Sequence, residues 1–299
     1  MKIVDLSREL YHKTPTYPGH PPIIHGVWTT HEESFAASGN VHGLASMFIS
    51  MPDHAGTHID AFRHFNKDGA PIGEYPLENC IVPGICLDLR HIAARAEIVV
   101  SDLEAAVEKC GHPVPKGGTV LLCTGHHART FPRKEYVTDN SGVNVAATEW
   151  LAARGVVHFG IDSMRPGPDG EVNLLVHKAC GELGITHIES LCNLEALLGE
   201  GPFTFIGLPM KWRDGTGSPI RAVAVFGTSP SPRPSRGEGW DEGLSQPARL
   251  ARLPSPAAQG RGDFSPRRAG RGATSAGATP PCRTASPPCG RGCRPSRRH

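Results

Sequence analysis

A chain of 299 residues with 38% hydrophobic residues can bury a sizeable core, and a formal net charge of +2 excludes a strongly polyionic protein. No stretch approaches the ~20 apolar residues of a membrane-spanning helix. The opening Met1 to Leu6 has no secretory apolar run, so a soluble cytoplasmic protein is expected.

Short apolar or alternating runs predict strands at residues 2–6, 46–51, 81–89, 119–123, 156–161, 203–208 and 221–226. Residues 11–43 read as a long loop carrying Pro15, Pro18, Pro21 and Pro22, and a loop of that length in a compact domain points to function. Ser101-Asp102-Leu103-Glu104 reads as a capping box opening a helix that ends at Gly111. A second helix is predicted over 146–154, closed by Gly155, and a third over 174–183, closed by Gly184. The strand at Thr119, the helix at Ala146 and the strand at Val156 follow in βαβ order, so residues 1–228 are expected to form one α/β domain.

The remainder, 229–299, holds 13 Arg, no Lys and 4 acidic residues, a balance of +9 that leaves −7 for residues 1–228. Rich in Pro, Gly, Ser and Ala and nearly devoid of β-branched and aromatic residues, it cannot bury enough apolar surface to offset the entropy of ordering. It is expected to be a disordered tail, with the composition that out-of-frame reading of GC-rich DNA gives. Nucleic-acid binding by its arginines is the disfavoured alternative. Cys80, Cys86, Cys110, Cys123, Cys180 and Cys192 form no C-x-x-C pair and suit free thiols. Cys282, Cys289, Cys293 and His299 match no recognised zinc pattern.

The chemistry concentrates in Met51 to His64, where three histidines and two carboxylates surround Gly56. Imidazole and carboxylate are natural ligands of a zinc- or manganese-type ion, and the spacing His54-x3-His58-x-Asp60 lets three of them converge on it. His54 and His58 could share a helix face. Ala55-Gly56-Thr57 is a poor helix interior, however, and extended backbone puts His58 and Asp60 on the same side. Ordinary hydrogen-bonded surface groups would explain one such histidine more readily than the whole cluster.

The run His54-x-Gly56-Thr57-His58-x-Asp60 with His64 resembles the signature of the putative cyclase family, which includes bacterial kynurenine formamidases and isatin hydrolases. Thr16-Tyr17-Pro18-Gly19, Leu87-Asp88-Leu89, Leu208 to Lys211 and Ser218 to Ala222 extend the resemblance over most of residues 1–228. It implies a swivelling β/β/α domain, a metal-dependent hydrolase site and a homodimer. By the same resemblance His54, His58 and Asp60 hold a first metal, His177 and Glu189 complete a second site, and His64 is the acid/base histidine. One or two ions are implied, zinc foremost and manganese as the alternative. Two departures stand out: Phe62 replaces a proline of the motif, and His20 replaces an acidic residue after Pro18-Gly19.

Metal-activated water would then hydrolyse an aryl formamide such as N-formyl-L-kynurenine to kynurenine and formate. The alternatives are lactam opening of the isatin hydrolase type and a non-catalytic metal or small-ligand binding protein. No Gly-x-Ser-x-Gly elbow points to a serine hydrolase. Tyr17, Phe62 and Trp212 are the expected substrate-contacting residues; Tyr17, Trp28, Phe65 and Trp212 could form an aromatic wall, with core packing as the alternative for each. His187 reads either as a partner orienting a ligand or as an ordinary strand histidine. His126 and His127 are expected at the surface.

Overall fold

The β-branched and aliphatic runs fold into strands in the structure, a computed structural model that describes residues 1–227. In chain order the strands are β1 (Lys2–Asp5), β2 (Ile24–Thr29), β3 (Ser46–Ser50), β4 (His58–Asp60), β5 (Ile81–Asp88), β6 (Glu97–Ile98), β7 (Thr119–Cys123), β8 (Gly142–Val143), β9 (His158–Ile161), β10 (Thr186–Glu189), β11 (Phe203–Ile206), β12 (Gly217–Pro219) and β13 (Val223–Phe226). The helices are α1 (His31–Ala37), α2 (Phe62–Phe65), α3 (Val100–Cys110), α4 (His126–Thr130), α5 (Glu135–Thr138), α6 (Val145–Ala153) and α7 (Glu171–Leu183). The tail from Ser229, with its arginines and the Cys282, Cys289, Cys293 and His299 grouping, lies outside the described residues.

Nine strands make one sheet in the order β1-β13-β11-β5-β7-β9-β10-β4-β12. The central β5, β7, β9 and β10 run parallel, and the strands flanking them are antiparallel. Side-chain alternation divides the core between the two faces of this sheet. Ile85 and Leu87 of β5, Val120 and Leu122 of β7, and Phe159 and Ile161 of β9 pack against Leu103 and Ala106 of α3, Ala147 and Leu151 of α6, and Val176 and Cys180 of α7. Their sequence neighbours Cys86, Leu121 and Cys123 point the other way, into a cluster with Ile59, Ile188, Phe203, Phe205 and Ala224. Parallel strands buried on both faces read as continuous apolar runs, which is why β5 and β7 were plain in the sequence. Each fully buried aliphatic side chain contributes about 1.5–3 kcal/mol.

The mixed α/β architecture is the expected one, and the differences are local. The helix expected to open at Ser101 begins at Val100, because Asp102 Oδ2, not Glu104, accepts the hydrogen bond that caps it, from the Val99 amide at 2.9 Å. The third helix starts three residues early, at Glu171. The predicted long loop contains β2 and α1, and β2 pairs with β3 as a separate hairpin. The six cysteines within the described residues are all unpaired, as expected. No helix among the described residues is long and apolar enough to cross a membrane.

Candidate metal and active site

Strand β4 is only three residues long, yet it fixes the centre of the site. Ile59 points into the core, so His58 and Asp60 share the opposite face. β10 pairs with β4 so that Glu189 lies directly across from His58, and β12 pairs on the other side with Gly217 across from Asp60. His54 arrives from the turn before β4. There Gly56 adopts φ +64°, a conformation that favours glycine, and a Cβ on it would press against the Leu10 side chain. Gly217 is held to glycine for a different reason: a Cβ there would sit 2.7 Å from His54 Cε1.

Asp60 is 1% exposed and joins two groups of histidines. Its Oδ1 lies 2.8 Å from His54 Nδ1 and 3.3 Å from His58 Nε2. Its Oδ2 lies 3.1 Å from His187 Nε2, 3.8 Å from His64 Nε2 and 3.9 Å from His177 Nε2. Glu189 closes the arrangement, 3.4 Å from His58, 3.2 Å from His187 and 4.0 Å from His177. One ligand atom each from Asp60, His177, His187 and Glu189 falls within 4.8 Å of all the others, and His54, Asp60 and His64 meet the same criterion.

Neighbouring groups fix the imidazole tautomers. His58 Nδ1 donates to the Gly56 carbonyl at 2.9 Å, and His177 Nδ1 donates to the Asn173 carbonyl at 2.7 Å. Each leaves an unprotonated Nε2 facing the carboxylates when the ring is neutral. Thr216 donates to Asp53 Oδ2 at 2.7 Å and so accepts from His54 Nε2 at 2.9 Å, which leaves His54 Nδ1 facing Asp60. His187 Nε2 is fully buried and has no partner in hydrogen-bond geometry among the described residues, although two carboxylate oxygens lie within 3.2 Å. Converging nitrogen and oxygen donors around an orphaned buried nitrogen fit a divalent ion of the zinc or manganese type.

The charges fit it too. Burial disfavours the His54 cation, but Asp60 outweighs that and raises its pKa to about 9. Burial likewise opposes ionisation of Asp60, yet His54 and His187 hold its carboxyl well below the usual range. His64 behaves oppositely: burial, reinforced by the positive field of His54 and His177, pulls it down to about 4 despite Asp60.

A cavity of about 310 Å³ opens over these groups. Among its walls are Tyr17 and His20 from the long loop, Phe65 of α2, Met164 and Arg165 beyond β9, and Leu174 of α7. All six residues expected as ligands or acid/base meet at this cavity. Of the three expected substrate contacts, Tyr17 borders it. Phe62 and Trp212 fall elsewhere, both packed against the hydrophobic core, Phe62 with its ring 6.3 Å from Tyr75. The turn of α2 that brings His64 and Phe65 to the cavity carries Phe62 away from it. Trp28 is 74% exposed on the hairpin. His126, expected at the surface, is buried and stacks on Tyr136. A further group of potential ligands, Cys123, Asp162 and Glu195, does not border the cavity.

Reading from the sequence left His187 undecided. The signal was present: His187-x-Glu189 in a strand places both side chains on one face. Arg8 and Arg165 went unremarked, because nothing local marks a buried arginine.

Comparison with known proteins gives the chain its relatives. A kynurenine formamidase from Sphingopyxis alaskensis is 28% identical over 222 residues, covering 74% of this chain and 97% of that protein. Isatin hydrolase A from Labrenzia aggregata, solved bound to benzyl benzoate, matches with a TM-score of 0.64 at 22% identity, covering 75% of this chain and 93% of that one. A structure described as a potential metal-dependent hydrolase with cyclase activity matches with a TM-score of 0.58 at 23% identity, over 75% and 96% of the two chains. The structural likenesses establish a shared fold. The sequence profile of the family described as Putative cyclase matches residues 4–168, more than half of the chain and including β4 with its flanking histidines, and the chain belongs to that family.

Proposed function

We propose that the protein is a metal-dependent hydrolase of carbon–nitrogen bonds other than peptide bonds, acting on an aryl formamide such as N-formyl-L-kynurenine. The observation that carries this reading is the convergence of His54, His58, Asp60, His177, His187 and Glu189 beneath a cavity that also presents His64. A divalent ion bound there supplies Lewis acidity to a carbonyl oxygen and lowers the pKa of a water from 15.7 toward about 7. Asp60, with Oδ1 toward His54 and His58 and Oδ2 toward His177 and His187, would hold the metal together with these histidines and Glu189. Zinc is favoured by the nitrogen and carboxylate donors, and manganese is the alternative.

His64 is about one-third exposed toward the cavity and uncharged at neutral pH. Its Nε2 can take a proton from the attacking water and return it to the departing nitrogen. Tyr17 and Phe65 line the cavity and would contact an aromatic substrate. Opening of a cyclic amide is the second reading, favoured by the fold shared with isatin hydrolase A.

The test is hydrolysis of N-formyl-L-kynurenine and of isatin by the purified protein, before and after chelation and with zinc or manganese restored. Turnover that disappears with the metal and returns with it is expected. His64→Ala should keep its metal, measured by plasma emission, and lose about 10²–10⁴-fold in kcat. Full metal with no turnover of any amide would leave a binding protein instead.

We also propose a cytoplasmic homodimer. Supporting the dimer, β3 is exposed along its whole length, β2 along most of it, and α1 buries no residue. Val27, Trp28, Leu44, Met47 and Ile49 are each more than half exposed, and a two-stranded hairpin with such a surface is marginal without a covering layer.

A further inference from the structure

Arg8 and Arg165 border the cavity, and each is only 5% exposed. A guanidinium has five N–H donors and keeps its charge at any physiological pH. Arg8 donates from Nη2 to the Pro15 carbonyl at 2.8 Å and lies 5.4 Å from the ring centroids of Phe131 and Tyr136. Arg165 lies 5.1 Å from the Tyr17 ring and 3.2 Å from a carboxylate oxygen of Asp169, whose side chain is mostly exposed. Nε and Nη1 of Arg8 and Nε of Arg165 are buried with no hydrogen-bond partner among the described residues, and Nη1 of Arg165, also buried, has only the ion pair with the mostly exposed Asp169. Aromatic faces steady the guanidinium planes but accept none of these hydrogens in the way an oxygen does. A buried cation left in this condition is costly, and an anionic partner removes most of the cost.

The charges lining the cavity point the same way. Arg8, Arg165 and Lys178 set three positive charges against the two carboxylates Asp60 and Glu189. With neutral imidazoles the lining is +1, and one divalent ion on the carboxylates makes it +3. Such a concave surface concentrates anions.

We propose that the pocket selects substrates carrying a carboxylate, which Arg165 receives with Arg8 beside it, while Tyr17 and Phe65 contact an attached ring. The substrate class is therefore an aryl amide that bears a carboxylate group, whatever its net charge, and not one that lacks it. This assignment rests on reading the site as an amide hydrolase. A planar carboxylate matches the guanidinium fork in two parallel hydrogen bonds, and charge-assisted bonds of this kind are the strong ones.

The test compares 2-formamidobenzoate with formanilide, which has the same formamide without the carboxylate, using the full metal-loaded chain. kcat/KM is expected to be at least about tenfold higher for the anion, the size of one charged hydrogen bond. Arg165→Met should reduce kcat/KM for the anion at least about tenfold more than for formanilide. Arg8 is packed against Phe131 and Tyr136, so its replacement disturbs the fold and is not the variant chosen. Equal rates on the two substrates in the wild type, or equal losses in the variant, would overturn the proposal. Failure to cleave either substrate would count against the hydrolase reading alone. Binding of benzoate and benzamide to the metal-free wild type, measured by calorimetry, then decides: tighter binding of benzoate by about tenfold supports the anion site, and equal binding overturns it.

Discussion

Asp60 is surrounded by imidazoles, and its carboxylate holds the proton on two of them. Without metal, His54 keeps a proton up to about pH 9, and His187 is likewise held above its ordinary value because Asp60 and Glu189 outweigh the cost of burial. A metal needs these nitrogens unprotonated. Protons bound at pH 7 must therefore leave as metal enters, and apparent affinity should rise with pH until about 9. One to two protons per ion are expected at pH 7, measurable by calorimetric titration with zinc in buffers of different ionisation enthalpy. A count of zero would show that the histidines are already neutral. At this scale the sequence was informative for His54, His58 and Asp60, because all three lie within seven residues and the strand period aligns two of them. It was ambiguous for His187, whose neighbours in the chain are ordinary and whose partners Asp60 and Phe65 lie over a hundred residues away.

Among the elements, β5 and β7, buried on both faces, are legible almost to the residue, whereas β10, equally buried, and the short strands that serve the site are not. β4 is legible only as extended backbone, and β12 only through the family resemblance at Ser218 to Ala222. Each is three residues long, β4 held between β10 and β12 and β12 held by β4, so their pairing rather than their own residues fixes them. The hairpin of β2 and β3 is the opposite case, regular in pairing but without a core of its own. If a second copy of the chain covers it, sedimentation equilibrium should give twice the 31.9 kDa chain mass. The double substitution V27E/W28E should shift the protein to monomer, since two carboxylates cannot be buried unpaired in an apolar interface. A wild-type monomer would instead leave the hairpin as a free surface.

For the whole molecule, the composition change near residue 228 predicts that the catalytic fold needs nothing beyond it. A chain ending at Gly227 should keep its midpoint of thermal unfolding within about 2 °C, where a loss of 1 kcal/mol shifts a domain of this size by about 2–4 °C. It should also bind zinc as the full chain does. A lower midpoint would show that the arginine-rich segment contributes to stability. The sequence by itself determined the α/β class, the central strands β5, β7 and β9, and the ligand motif, because local periodicity and short spacing encode all three. The tertiary structure alone decided that Glu189 faces His58, that Phe62 and Trp212 serve the core, and that two arginines meet at the cavity. Those placements depend on strand register and on chain segments far apart in sequence, and no local pattern records them.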